Sequence, residues 1–229
     1  MPFEIVRNDI TQMRVDAIVN TANPKPVIGS GVDAGIHQAA GPELLAAREK
    51  IGRIGVGEAA VTPGFGLNAK YVIHTVGPVW RGGLLGEGKL LRGCYESSLA
   101  LALENGCESI AFPLISAGNY GFPKDEALRI ALDAIRGFLK DHEMMVSLVV
   151  FDRESFRLSR QRHREVASFI DDNYIQEKTA QQISPGRARS ERVLWDRDAL
   201  DDICAPMECA EPALPTCWRR RMPVFPRLC

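Results

Sequence analysis

The sequence lacks the long apolar runs and the charge bias that mark several large classes of protein. Its apolar runs fall far below the ~18–20 residues that a membrane span needs. The net charge is −1, so no overall field recruits nucleic acid or an anionic membrane. The chain begins Met-Pro-Phe-Glu-Ile-Val-Arg-Asn-Asp, without the basic and then apolar build of a signal peptide. We therefore expect a cytoplasmic protein that binds neither membrane nor nucleic acid.

The cysteines predict neither a metal site nor a disulfide framework. Four of the six lie between Cys204 and Cys229, and their spacing lacks the paired C-x2-C of a zinc ribbon. Disulfides are also rare in cytoplasmic proteins. The pattern G-x4-G-K-S/T of P-loop enzymes is absent as well, which argues against an NTPase or a nucleotide-dependent transferase. We expect unpaired thiols, no metal and no cofactor.

Short strand-like and helix-like segments alternate through the first 175 residues. Strands are predicted at residues 3–6, 17–19, 71–76, 109–115 and 146–151. Helices are predicted from near Asp33, at 91–103, at 128–139 and, rich in arginine, at 158–170. Strands that alternate with helices predict an α/β fold, with a mostly parallel sheet covered by helices on both faces.

The composition changes after about Tyr174. Residues 176–192 are polar and charged, and the rest of the chain is rich in proline with one run of three arginines. Neither a helical nor a strand period survives there. We predict one domain at residues 1–175 and a linker with a disordered tail at residues 176–229. The arginine run is either a solvated basic patch or a contact for phosphate or a partner.

Two glycine-bearing loops are the candidate binding site. Residues 20–33 and residues 116–123 each follow a predicted strand and precede a predicted helix. Small residues let backbone N–H groups approach an anion, and the helix N-terminus adds partial positive charge. Open α/β sheets bind ligands beyond the carboxyl ends of their strands. The pair of loops predicts a diphosphate held from both sides, although tight strand-to-helix turns use glycine too.

Polar side chains with a short reach lie around these loops. Asn20 and Asn23 can each donate and accept, which suits a ribose diol, although Asn23 is also typical of a turn before proline. Asp9 follows the first strand and is either a local turn residue or an acceptor for an exocyclic amine. Tyr120 offers a ring face to a ribose or a base.

Asp33 has two interpretations. It is suited to cap the helix that follows it. A carboxylate beside a diphosphate-binding turn is electrostatically unfavourable, however, unless it has another duty such as orienting or activating water. His37 lies one turn further on and His74 lies in mid-strand, and both residues are expected to be structural.

The residues described so far resemble the macrodomain family. The similarity extends over about residues 1–175 and is carried by five segments at 8–11, 16–23, 31–37, 69–78 and 109–116. The resemblance implies a three-layer α/β/α sandwich with a mixed, mostly parallel central sheet. It also implies that ADP-ribose binds in a cleft at the strand ends.

The resemblance implies a role for each site residue. Asp9 and the Ile10 backbone would meet the adenine amine, Phe151 would lie against the adenine, and Asn23 would bond the distal ribose. The residues that would wrap the diphosphate are Gly29, Ser30, Gly31 and Val32 in the first loop, and Ser116, Ala117, Gly118, Asn119 and Tyr120 in the second.

One branch of the family hydrolyses ADP-ribose esters, and this chain is similar to it in one pattern. That branch has an Asn and, ten residues later, an Asp in the first loop, which is the spacing of Asn23 and Asp33. The pattern implies a metal-independent hydrolase that removes ADP-ribose from protein carboxylates, deacetylates O-acetyl-ADP-ribose, or does both. The implied partners are ADP-ribose, its esters and mono-ADP-ribosylated proteins, and we expect a monomer. The alternative is a module that reads ADP-ribose without cleaving it.

Besides the stretch at residues 24–28, two single residues of the loops depart from the family pattern. Ser30 interrupts a run that is usually glycine, and Asn119 stands where an apolar residue is commoner. We expect Asn119 either to add a polar contact or to loosen its loop. Neither departure removes a group that the proposed chemistry needs.

Overall fold

The computed structural model describes residues 2–163 and 166–182, and in that part of the chain seven strands form one sheet. The order across the sheet is β3-β4-β2-β5-β6-β1-β7. Only β3 and β4 pair antiparallel among these neighbours. The strands are β1 (Phe3–Arg7), β2 (Val15–Thr21), β3 (Ala59–Pro63), β4 (Ala69–Thr75), β5 (Ser109–Pro113), β6 (Met145–Val150) and β7 (Val166–Ser168).

Helices cover both faces of this sheet. They are α1 (Val32–Ala40), α2 (Pro42–Ile51), α3 (Glu87–Glu104), α4 (Lys124–Phe138), α5 (Arg153–Arg162) and α6 (Asp172–Gln182), with a short 3-10 turn at Ile10–Gln12. On β2, Ala17 and Val19 pack in one apolar cluster with α3 and α4, whereas Ile18 packs in another with α1 and α2. Successive side chains of a strand point to opposite faces, so β2 is buried from both sides. The predicted three-layer α/β/α sandwich with a mixed, mostly parallel sheet is confirmed.

Four elements were missed and one prediction was wrong at the margins of the sandwich. The sequence predicted none of β3, α2, β7 and α6. The predicted helix over residues 158–170 is wrong, because α5 ends at Arg162 and the chain then forms β7. In β7, Val166 pairs with Ile5 of β1 in a parallel ladder. A strand of three residues shows no readable period, so only its pairing partner makes it a strand.

Helix α6 crosses the predicted domain boundary at residue 175, because it continues to Gln182. The predicted tail from residue 183 onward lies outside the described residues, as do its four cysteines and its arginine run. Cys94 and Cys107 lie within the described part of the chain, where both are buried free thiols. No helix among the described residues is long and apolar enough to cross a membrane.

Candidate functional site

Every predicted site residue lies at or just beyond the carboxyl end of a parallel strand. Asp9 and Ile10 follow β1, Asn20 is the last residue but one of β2, and Phe151 follows β6 directly. The second loop follows β5, which lies between β2 and β6 in the sheet. Because parallel strands present their carboxyl ends at one edge, the sheet brings all of these residues to the same edge.

Asp33 is the buried centre of the first loop. It is the second residue of α1, and its side chain is 3% exposed. Its Oδ2 accepts from the backbone N–H of Gly29 at 2.5 Å, and its Oδ1 accepts from Asn20 Nδ2 at 2.6 Å. The N-cap of α1 is Gly31 instead. Asp33 is therefore not the helix cap, and its carboxylate joins the end of β2 to the loop.

The electrostatics of Asp33 are dominated by its burial. Desolvation raises the pKa of the Asp33 carboxyl, against the hydrogen bonds from Asn20 and Gly29 and the positive charge of Arg48. His37 Nε2 lies 3.6 Å from Asp33 Oδ1. A raised pKa makes the ionised carboxylate a stronger proton acceptor than an exposed aspartate would be.

Arg48 is a site residue that the sequence did not reveal. It lies on α2, is 2% exposed, and donates to the carbonyl oxygens of Asn23 and Pro24, both at 3.1 Å, and to that of Gly52. The guanidinium therefore fixes the backbone at the start of the first loop through these two carbonyl oxygens of Asn23 and Pro24. Only knowledge of α2 could have pointed to it, because nothing in the local sequence marks this arginine.

The first loop is crowded by side chains at one glycine and needs the backbone conformation of glycine at another. A Cβ at Gly29 would lie 2.9 Å from Asn23 Nδ2 and 3.4 Å from Asp33 Oδ2. Gly31 has a φ of +63°, a conformation that costs a residue with a side chain. The two glycines thus serve both interpretations, a tight turn and a close backbone approach to an anion.

Asn23 combines the two roles that its sequence position allowed. Its Nδ2 donates to the carbonyl of Val27 at 3.1 Å, which is turn chemistry. Its Oδ1 lies 3.5 Å from the Tyr120 hydroxyl of the second loop. The carboxamide therefore lies between the two loops.

The second loop is held in an unusual backbone conformation. Ser116 has a φ of +61°, in the left-handed region that residues with side chains rarely adopt. The loop is closed by hydrogen bonds from Phe122 N to Ser116 O at 3.0 Å and from Gly121 N to Gly118 O at 2.9 Å. Tyr120 O accepts from Trp80 N at 2.8 Å. Backbone strain of this kind is typical of functional loops.

The two family departures contact each other across the cleft. Asn119 Nδ2 donates to Ser30 Oγ, and this hydrogen bond links the second loop to the first. Of the two outcomes expected for Asn119, the structure shows the added polar contact. The loops that were predicted to hold a diphosphate from both sides are thus tied together.

Asp9, at the opposite end of the strand edge, is already engaged on both oxygens. Its Oδ1 accepts from the backbone N–H and the hydroxyl of Thr11, at 2.9 and 2.7 Å. Its Oδ2 accepts from the Tyr174 hydroxyl of α6 at 2.9 Å. Burial and this hydrogen bond raise the pKa of Tyr174 to about 12, so the hydroxyl keeps its proton. The sequence missed Tyr174, which lies at the predicted end of the domain.

A cavity of about 600 Å³ lies beside Asp9. Asn8 and Gln12 line it from the β1 side, and Tyr174 lines it from α6. Nearby, Arg7 forms an ion pair with Asp172 that fastens the start of α6 to β1. Phe151 is half-buried and follows Val150, the partner of Arg7 in the β1–β6 ladder.

Within residues 2–163 and 166–182, no group of three or more His, Cys, Asp or Glu side chains is placed to hold a metal ion.

The comparisons with known proteins together identify the family. The model described as Macro domain matches residues 19–131. The O-acetyl-ADP-ribose deacetylase of Citrobacter rodentium is 48% identical over 162 residues, which cover 68% of this chain and 92% of that protein. The human ADP-ribose glycohydrolase MACROD2 is 40% identical over 227 residues, covering 93% of this chain and 53% of that protein.

A solved structure agrees with these relatives. A variant of the Oceanobacillus iheyensis macrodomain with ADP-ribose superimposes with a TM-score of 0.68 at 39% identity, over 70% of this chain and 90% of that one. The sheet, its flanking helices and the two loops at one strand edge define a macrodomain architecture. The chain belongs to the macro domain family, as its sequence indicated.

Proposed function

We propose that this protein binds ADP-ribose and hydrolyses esters of it, by removing ADP-ribose from protein carboxylates, by deacetylating O-acetyl-ADP-ribose, or by both. The observation that carries the proposal is the meeting of the two loops, with the Asn23 carboxamide between them and Asp33 behind it. The names of the relatives support this chemistry, one as a deacetylase and one as a glycohydrolase.

The cleft suggests one orientation for ADP-ribose. The diphosphate lies between the two loops, against backbone N–H groups and the N-terminus of α1. The adenine lies at the β1 and β6 end, with its amine toward Asp9 and Ile10 and its ring against Phe151. The distal ribose lies beside Asn23. In this orientation, the ester bond to be cleaved lies at the distal-ribose end of the cleft, beside the first loop that Asp33 holds through the N–H of Gly29.

The proposed step is attack by one water molecule. For an ADP-ribosylated carboxylate, the water oxygen bonds to the anomeric carbon, the bond from that carbon to the carboxylate oxygen breaks, and the carboxylate leaves with the electron pair. For O-acetyl-ADP-ribose, the water oxygen bonds to the acyl carbon, the bond from that carbon to the ribose oxygen breaks, and the ribose oxygen takes up the proton that water gave to the base. The proton that water loses goes to Asp33 or to the diphosphate of the substrate itself.

A second candidate is a reader that binds ADP-ribose without cleaving it. It is favoured by the fact that both Asp33 oxygens already accept hydrogen bonds from the protein and that the side chain is 3% exposed. In that case the role of Asp33 is to fix the first loop. The substrate class of the enzyme and the ligand of the reader are the same, so only turnover separates the two.

One sample tested for both properties decides between the candidates. ADP-ribose binding is measured by calorimetry, and the same protein is then incubated with O-acetyl-ADP-ribose and with a protein mono-ADP-ribosylated on Asp or Glu. Asp33→Ala is expected to lower turnover by ~10²-fold or more, the range for a general base. The control Asp133→Ala changes an acid on the exposed side of α4, where it pairs with Arg129.

The outcomes are distinct. Turnover by the wild type and the control, with loss in Asp33→Ala, supports the enzyme. Unchanged turnover in Asp33→Ala shows that the water proton goes elsewhere. Tight binding by the wild type with no product after long incubation at high protein concentration supports the reader. The cytoplasmic location and the monomeric state stay predictions.

A further inference from the structure

A buried histidine lies directly behind the Asn20–Asp33 pair. His74 is the last residue but one of β4, is fully buried, and is the register partner of Asn20 on β2. Its Nδ1 lies 3.1 Å from Asn20 Nδ2, and its Nε2 lies 3.0 Å from Thr62 Oγ1 on β3. The ring therefore connects the edge strand of the sheet to the residue that holds Asp33.

The orientation of the Asn20 carboxamide is identified from the atom that faces Asp33. The group 2.6 Å from Asp33 Oδ1 must be the nitrogen, because an oxygen there would face a carboxylate oxygen. One hydrogen of Nδ2 goes to Asp33 and the other points to His74 Nδ1. Asn20 Oδ1 is buried and has no hydrogen-bond partner among the described residues, so the amide is held through its nitrogen alone.

This orientation assigns the tautomer of His74. Because Nδ1 accepts from Asn20, the ring proton must lie on Nε2, from which it is donated to Thr62 Oγ1. The Thr62 hydroxyl in turn donates to the carbonyl of Val72 at 3.4 Å. Burial, with the positive charges of Arg48 and His37, lowers the pKa of His74 to about 3, so the ring stays neutral.

We propose that His74 and Thr62 are positioning residues of the site, which set the orientation of Asn20 and through it that of the Asp33 carboxylate. Thr62 selects the His74 tautomer with the proton on Nε2. That tautomer makes Nδ1 an acceptor, and the acceptor fixes the amide nitrogen of Asn20 toward Asp33. With the proton on Nδ1 instead, His74 would favour the flipped amide, whose oxygen Asp33 repels.

The catalytic part of this inference rests on the proposed hydrolysis, whereas the tautomer does not. The test therefore has a readout besides activity. Nitrogen-15 spectra of histidine-labelled protein distinguish a protonated ring nitrogen from an unprotonated one, and the spectrum of His74→Asn identifies the His74 signals. Wild type is expected to carry the proton on Nε2.

Thr62 offers a matched pair of variants. Thr62→Val has nearly the same shape but no hydroxyl, whereas Thr62→Ser keeps the hydroxyl. We expect Thr62→Val to populate both His74 tautomers and to lower kcat about tenfold, the effect of losing roughly one hydrogen bond. Its dissociation constant for ADP-ribose should change by less than about twofold. Thr62→Ser should retain the wild-type tautomer and kcat.

Three results would overturn the proposal. They are a wild-type ring protonated on Nδ1, a Thr62→Val protein with an unchanged tautomer, and a Thr62→Val protein whose tautomer changes while kcat does not. Equal losses of kcat in Thr62→Val and Thr62→Ser would also contradict the proposal. Only Thr62→Val lacks the hydroxyl, so equal losses would not depend on its hydrogen bond. If the wild type binds ADP-ribose but cleaves no ester, hydrolysis fails, and the spectra alone decide whether Thr62 sets the tautomer.

Discussion

The buried His74 predicts that the protein loses stability as the pH falls through the range in which an exposed histidine takes up a proton. In the folded protein, burial lowers the pKa of His74 to about 3. In the unfolded chain, the same side chain titrates near its ordinary value of about 6.5. Between these two values the unfolded chain binds a proton that the folded protein does not. The free energy of unfolding therefore falls as the pH falls, beginning near 6.5 and continuing toward 3.

The magnitude is large enough to measure. One pKa unit corresponds to ~1.36 kcal/mol, so the slope approaches ~1.4 kcal/mol per pH unit below 6.5. Between pH 7 and pH 5, His74 alone should cost about 2 kcal/mol of a total stability that is typically ~5–15 kcal/mol. Asp33 acts in the opposite direction, because its raised pKa lets the folded protein gain a proton first as the pH falls. His37, whose pKa is lowered by burial, acts in the same direction as His74.

The contribution of His74 is isolated by subtraction. Urea unfolding is measured at pH 7, 6 and 5 for the wild type and for His74→Asn, whose amide does not titrate. Other groups cancel in the difference between the two free energies, which should shrink by about 2 kcal/mol from pH 7 to pH 5. His142→Asn, at an exposed histidine, is the matched control. A difference that stays constant over this range would refute the claim that His74 is buried and neutral.

Three further outcomes are expected. Gly29→Ala places a Cβ 2.9 Å from the amide nitrogen of Asn23 and should weaken ADP-ribose binding in calorimetry by about tenfold or more. The control Gly137→Ala, in open space on α4, should not weaken binding, and equal affinities of the two variants would show that the first loop adapts. Asp16→Ala removes the acceptor of two backbone N–H groups and should lower the free energy of urea unfolding by ~1–3 kcal/mol, well above the loss in Lys70→Ala. Because the hydrogen bond from Lys70 lowers the pKa of Asp16, this stabilisation should be present above pH 3.8 and disappear only in stronger acid. Tyr174→Phe removes a competing donor from Asp9 Oδ2 and should tighten ADP-ribose binding about fivefold, while unchanged affinity would mean that hydroxyl and adenine amine share the oxygen.

The core of the fold was predictable because its signals are local. On β5, Ile110, Ala111 and Phe112 are all buried, and an unbroken apolar run predicts a strand covered on both faces. The elements that were missed have no such run. Helix α2 buries only Leu44 and Arg48, and β7 is defined by its pairing with β1. Their structure depends on neighbours distant in sequence.

The candidate site divides in the same way. The loops were found because glycines before a helix start are visible in the sequence. The residues that support them were not, because Arg48, Thr62 and Tyr174 reach the site from other elements. Asp33 shows the limit most clearly, since the sequence offered a helix cap or a catalytic carboxylate. The structure excludes the helix cap, because Gly31 is the N-cap, and it shows that the Asp33 carboxylate accepts from the N–H of Gly29; the catalytic role is the proposal that turnover tests.

The hydrogen bond between Ser30 and Asn119 has a consequence for how this chain tolerates substitution. Each side chain was predicted from the sequence to depart from the family pattern in its own loop, and each supplies the partner of the other. Changing Ser30 to glycine alone leaves an amide without its acceptor, and changing Asn119 to an apolar residue alone leaves a hydroxyl without its donor. Changing both residues together should cost less stability than the sum of the two single changes, because neither partner is then left unpaired. The two positions are therefore expected to show epistasis, so that each constrains which residues evolution can accept at the other.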